Sequence, residues 1–388
     1  MYPTFLLAAL SLATHAFAAP IPAPRPAPAP APRVGLSPLH PRQNVPAIGA
    51  GPATAPDGST IIEDEVVING LNMRFKVSAP ASALVANANA NAGAGAGAGA
   101  GALGINVLFH GDGGQSFFDF PNAGVNAGLM GVALLSPDPT VRWGGSDPRN
   151  SLIRPQGAAH SAAVNQFITT ELPKIVNFDK SKIFLEGISG GSLLLSGFTV
   201  PTFGASLGVK GVVMGCGGLA PQVRVQGDIS GIRVHWQSST DELAELKQSI
   251  PPAIAAYEQI ARGAGLSNAQ VNALQTVDAS PDGGHCAFDE QDFVSGVQLL
   301  TDNYSSILAG QGVLNGVAAV GSKGVVGNEN PFVAAVGAGA GAGAGVAAGT
   351  GTSAAGVVNA NAANTANAGG IGIGRQRGRG RGRVNRLN

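Results

Sequence analysis

The spacing of apolar positions changes several times along the chain, and each change marks an element. Residues 61–70 (IIEDEVVING) and 71–80 (LNMRFKVSAP) are two β-prone runs separated by Asn69-Gly70. That pattern predicts a strand pair joined by a tight turn. Ile105–Phe109 (INVLF), apolar but for Asn106, and the continuous apolar run Val132–Leu135 read as short buried strands. Residues 158–176 put Phe167, Ile168, Leu172, Ile175 and Val176 on or near one helical face. Further strands are expected at Ile183–Glu186, Val209–Met214 and Ile232–Trp236, with a short one near Val277. Helices are expected near 251–262, 267–275 and 290–308. Strands alternating with helices predict an α/β fold: a mostly parallel sheet covered by helices on both faces.

Four segments lack this periodicity. Residues 1–18 (MYPTFLLAALSLATHAFA) have an apolar stretch ending in Ala16-Phe17-Ala18. They read as a secretory signal peptide, too short to span a bilayer. Residues 19–56 form a Pro/Ala-rich spacer, which cannot bury a core and should run extended. Residues 86–102 alternate Ala with Asn or Gly and read as a flexible loop inserted within the domain. Residues 331–388 are Gly/Ala/Asn-rich and end in an Arg-Gly tail, expected to be disordered. This leaves 57–330 as a single folded domain of ordinary size.

Charge refines the picture slightly. The chain has 23 basic and 23 acidic residues. Six of the basic ones are Arg375, Arg377, Arg379, Arg381, Arg383 and Arg386, so the body is mildly acidic with a basic tail. No nucleic-acid partner is expected for the folded domain, and no membrane span. The tail is a candidate contact for an anionic cell-wall polymer. The two cysteines, Cys216 and Cys286, either form one disulfide, favoured in an oxidising compartment, or sit as buried thiols. Asn303 opens the sequon Asn303-Tyr304-Ser305, a candidate glycosylation site.

The chemistry concentrates at KIFLEGISGGSLLLSGF. An apolar strand runs into Gly187-Ile188-Ser189-Gly190-Gly191, followed by a small-residue apolar stretch. A strand, a sharp Gly-x-Ser-x-Gly turn and a helix lift a serine hydroxyl out of a sheet. With 58 Gly in the chain the pattern also arises by chance, and a second copy stands at Ser206. No apolar strand precedes that one, so Ser189 is the candidate nucleophile. Of the six histidines, His15 and His40 fall in the signal and spacer. His110 and His160 lie upstream of the serine, and His235 lies in a predicted buried strand. His285, after Asp282-Gly283-Gly284, is the candidate base. The candidate acid is Asp241, the first carboxylate after the strand ending at Trp236. Glu242 and Asp282 are its alternatives.

An oxyanion site needs two backbone donors. Gly190, after the nucleophile, should supply one. The loop His110-Gly111-Asp112-Gly113-Gly114 should supply the other, through Asp112 or Gly113. His110 should brace that loop. Phe117, Phe118, Phe120 and Trp143 follow core strands and are candidate substrate-binding residues. No nucleotide-binding glycine pattern and no metal-ligand spacing is present, so no cofactor and no metal is expected.

Strand-HGDGG, strand-GISGG-helix, strand-loop-Asp and Gly-Gly-His, in this order over about residues 60–312, resemble the α/β-hydrolase superfamily. The look is most similar to secreted polyhydroxybutyrate-depolymerase-like, feruloyl and acetylxylan esterases. The segment GHCAF is similar to the His-Cys pairing of feruloyl esterases and tannases. In those the partner cysteine directly precedes the nucleophile, where this chain has Ile188. The resemblance implies an α/β-hydrolase fold and a secreted, extracellular serine hydrolase. Such an enzyme cleaves carboxylic esters, including polymeric ones, through an acyl-enzyme. The alternative is a non-enzymatic wall- or matrix-associated protein on the same scaffold.

Overall fold

In a computed structural model, the described residues are 51–85, 101–119 and 124–308, with 47–48, 323–324 and 331–332. Nearly all of the expected signal peptide and spacer, the core of the Ala/Asn/Gly insertion and most of the C-terminal segment lie outside them.

Among the described residues, eleven strands make one sheet. They are β1 (Ala53–Thr54), β2 (Thr60–Ile68), β3 (Leu71–Ala79), β4 (Gly104–Phe109), β5 (Val125–Asn126) and β6 (Leu129–Leu134). Then follow β7 (Ile183–Ile188), β8 (Val209–Gly215), β9 (Arg233–Gln237), β10 (Gln275–Asp278) and β11 (Lys323–Gly324). Their spatial order is β1-β2-β3-β6-β4-β7-β8-β9-β10-β11, with β5 beside β6. From β6 to β10 every neighbouring pair is parallel, while β2 and β3 form an antiparallel hairpin. The hairpin turns through Asn69 (φ 52°) and Gly70 (φ 78°). Two successive positive φ angles match the twist of the flanking strands, and Asn-Gly is the pair that adopts them most readily. The observed sheet is the mostly parallel one that the sequence predicts, with β7 near its centre. The first strand, β1, falls inside the segment expected to be spacer: Ala53 and Thr54 pair with Ile61 and Thr60.

The period-2 alternation of the strands divides the core. Val107, Phe109, Leu185, Val212 and Met214 face one layer. That layer also holds Val164 and Phe167 from around α2 (Gly157–Gln166), and Ile250, Ile254 and Tyr257 from α5 (Ala244–Gly263). Ile188 and Val213 face the other layer, with Val297, Leu300 and Ile307 of α7 (Phe293–Leu308). Leu108 and Ala133 point into a smaller cluster with Phe117, at α1 (Gln115–Asp119). After β7 the chain turns into α3 (Gly190–Leu194), a π turn over 195–199 and α4 (Val200–Leu207). The remaining helix is α6 (Asn268–Leu274), opened by a capping box between Ser267 and Gln270. No helix among the described residues is long and apolar enough to cross a membrane.

Candidate active site

The centre of the site is the turn between β7 and α3. Ser189 adopts φ 49° and ψ −112°, a backbone conformation that costs free energy for any residue with a side chain. The surroundings hold it there. Its N–H donates to the Gly215 carbonyl at 2.8 Å, and its own carbonyl accepts from Leu193 at 3.1 Å. The flanking glycines are needed for space. A methyl on Gly187 would press on the Ser192 backbone, and one on Gly191 would overlap the Phe109 carbonyl. A methyl on Gly190 would overlap the Asp112 carboxylate. The turn is thus closed tightly enough to thrust the serine side chain away from the sheet.

His285 meets that side chain from the loop after β10. Its Nε2 lies 2.9 Å from Ser189 Oγ, and its Nδ1 is hydrogen-bonded to Glu242 Oε1. An ionised carboxylate can only accept, so the imidazole proton sits on Nδ1. The Nε2 lone pair is left facing the serine hydroxyl. The Glu242 side chain is fully buried and Oε1 also accepts from the Leu243 N–H at 2.8 Å. The expectation for Asp241 is corrected here. Asp241 is exposed, and what it brings to the histidine loop is its backbone N–H, donated to the Gly283 carbonyl at 3.0 Å. One residue further, the chain turns inward toward α5, so the next carboxylate is the one that reaches the imidazole. Asp282 is exposed as well, with its carboxylate near Thr240 Oγ1. Ser206 lies exposed on α4, donating to the Phe203 carbonyl.

Cys216, just past β8, and Cys286, next to the imidazole, are joined as a disulfide with Cα atoms 5.2 Å apart. Cys216, His285 and Cys286 are close enough together to suggest a metal centre. The sulfurs are bonded to each other, however, and the imidazole is committed to Ser189 and Glu242.

The loop after β4 supplies the amides opposite the serine. Gly113 N–H donates to Val141 O, Gly114 N–H to Gly111 O, and Gly111 N–H to Ser116 Oγ. Asp112 N–H is left without an acceptor among the described residues, and it stands close to Gly190. Between the two expected donors the geometry therefore favours Asp112 over Gly113. His110 braces this loop: it accepts from Ser136 N–H on Nε2 at 2.8 Å and donates from Nδ1 to the Gly111 carbonyl at 2.6 Å. Burial lowers its pKa to about 4, so the ring is neutral. His235 is likewise a neutral core histidine, held by Thr276 and Gln237.

A surface cleft of about 200 Å³ opens over Ser189 and His285. Its apolar lining is Leu152, Leu193, Leu243, Leu246 and Phe293. The aromatic residues expected there lie elsewhere. Trp143 is fully buried against Phe109, His110 and His160, and Phe117 is buried with Phe118 packed edge-on against it. Loop position after a strand did not distinguish a pocket wall from a core plug, and these large rings were drawn into the core. Phe120 lies outside the described residues. Asn303 is corrected too: it is buried within α7, with its amide donating to the Leu299 carbonyl at 2.8 Å. A glycan on that amide would have to displace the packing of α7.

No family model matches the sequence, and no curated protein matches it. Several solved structures are similar. They include a thermostable esterase (TM-score 0.40, 15% identity, covering 66% of this chain and 68% of that one). A Bacillus cereus carboxylesterase has TM-score 0.40 and 14% identity, covering 53% of this chain and 89% of that one. A Mesorhizobium loti carboxylesterase has TM-score 0.38 and 15% identity, covering 63% and 99%. At such identities the chemistry of the site is read from its own residues.

Proposed function

We propose that this protein is a serine hydrolase of carboxylic esters that works through an acyl-enzyme. The observation that carries this reading is the hydrogen-bonded chain Ser189–His285–Glu242 at a strained strand-to-helix turn. Ser189 Oγ attacks the ester carbonyl while His285 Nε2 takes its proton. The buried Glu242 carboxylate holds the tautomer and stabilises the imidazolium that forms. The carbonyl oxygen, now negative, is received by the N–H groups of Gly190 and Asp112. Collapse of the tetrahedral intermediate expels the alcohol, which takes the proton from His285. Water, activated by the same imidazole, then releases the acid and restores Ser189.

The open, leucine-lined cleft supports an apolar acyl or aryl group at the reacting ester, with the rest of the molecule left outside. An extracellular setting belongs to the proposal, supported by the N-terminal segment and by the disulfide; recovery of the protein from the medium of expressing cells checks it. The chemistry is tested with a fluorophosphonate probe and a panel of short acyl, feruloyl and polyester substrates. Wild-type protein should be labelled at Ser189 and turn over at least one ester. Ser189→Ala should do neither while unfolding at the wild-type temperature. An unlabelled, inactive wild type would refute the reading.

A further inference from the structure

Arg154 is a guanidinium buried in the wall of the catalytic cleft, with no part in the proton relay. Its side chain is 2% exposed. Nη1 and Nη2 each donate to one oxygen of the Asp112 carboxylate, both at 2.8 Å, and Nη1 also reaches the Trp143 carbonyl at 3.2 Å. Asp112 in turn sits on the turn that carries the nucleophile. Its carboxylate occupies the space a side chain at Gly190 would need, and its backbone nitrogen is close by. One short stretch of chain therefore presents an amide to the reacting carbonyl and a carboxylate beside it.

That is an unfavourable place for an unpaired negative charge. The reaction builds a second negative charge on the substrate oxygen, and like charges that close repel, more strongly beside a partly buried carboxylate than in bulk water. A bidentate guanidinium solves both difficulties: it neutralises the carboxylate and, being planar and forked, fixes its orientation. Lysine would supply charge without that orientation.

We infer that Arg154 is a positioning residue for the oxyanion site, which clamps and neutralises Asp112 so that its N–H can donate to the oxygen that becomes negative during ester cleavage. The inference rests on the ester-hydrolase reading. Arg154 acts through Asp112 and touches no reacting atom, so its effect belongs in turnover and not in substrate binding.

The test is a double-mutant cycle in the full-length protein. Wild type is first labelled with fluorophosphonate and assayed on the best short acyl ester; lack of reaction at Ser189 counts against the hydrolase reading itself. In an active enzyme, Arg154→Met should lower kcat by roughly ten- to a hundredfold, below the loss for deleting a donor outright, with KM changed by less than about threefold. Asp112→Asn alone should cost only several-fold. Asp112→Asn/Arg154→Met should be more active than Arg154→Met, because the stranded charge is gone. Binding of a boronic acid, which forms a tetrahedral anion on Ser189, should weaken in parallel with kcat. A double variant no better than Arg154→Met, or a kcat for Arg154→Met within about twofold of wild type, would overturn the inference. If Arg154→Met does not fold, Arg154→Lys takes its place. A fall in kcat at constant KM supports the clamp, and wild-type kcat refutes it.

Discussion

The carboxylate of Glu242 lies buried against the Nδ1 edge of His285, while its neighbour Asp241 points to solvent. Adjacent acids in the loop between β9 and α5 thus have opposite surroundings. Exchanging Glu242 for Gln should cut ester turnover by about a thousandfold or more, since the imidazole loses the group that fixes its tautomer. Asp241→Asn should turn over near the wild-type rate. Steady-state kinetics of the two variants on one soluble ester decide between them, and the opposite ranking would return the role to Asp241.

The disulfide closes a loop spanning 70 residues of sequence. A loop of that length is worth about 4 kcal/mol in the chain-entropy account. Cys216→Ala/Cys286→Ala should therefore be less stable by an amount of that order, and unfold at lower denaturant concentration. It should also lose activity ahead of global unfolding, because the base sits next to the missing bond. Parallel denaturant titrations followed by fluorescence and by activity measure both effects.

Stability should fall on mild acidification. His110, His160 and His235 each have pKa values lowered to about 4, with burial as the leading cause. Between about pH 6.5 and 4 the unfolded chain binds protons at these three sites and the folded chain does not. Stability is then lost as pH falls through that window, by up to about 1.4 kcal/mol per unit for each histidine. Glu186 works in the opposite direction. Its burial raises the pKa to about 7, so stability falls as pH rises from about 4.5 to 7. Glu186→Gln should remove that second slope. Thermal unfolding of both proteins across pH 4 to 8 shows whether the signs are right.

Gly191→Ala should be among the most damaging single-methyl changes. The added carbon would overlap the Phe109 carbonyl at the base of the nucleophile turn. A stability loss of about 1–3 kcal/mol is expected, with a larger relative loss of activity as Ser189 is displaced. Fluorophosphonate labelling at equal folded concentration separates the two.

Much of this was legible in the sequence, for reasons that can be traced. The mostly apolar, β-prone runs at 105–109, 183–186 and 209–214 pointed to strands, and Asn69-Gly70 to a turn. Ser189 stood out because a strand led into its glycines. What stayed hidden depended on direction more than on pattern. Asp241 and Glu242 are adjacent in the chain, and only the packing around the start of α5 decides which turns inward. The sequence places this helix near 251–262. It starts at Ala244, carrying Pro251 and Pro252 inside it, since burial of Leu246 and Ile250 extends the apolar face N-terminally. Arg154 gave no signal at all. An arginine in a loop ordinarily faces water, and its burial depends on Asp112, forty-two residues away.

The disulfide also sets where the site is mechanically anchored. His285 follows β10, near the sheet's margin, but Cys286 ties it to the end of β8, two strands inward. The imidazole is thus moored beside the strand that carries Ser189, and fraying at the margin need not pull it away. Amide exchange in β10 should run well ahead of inactivation in the oxidised protein, and the two should converge once the cysteines are reduced.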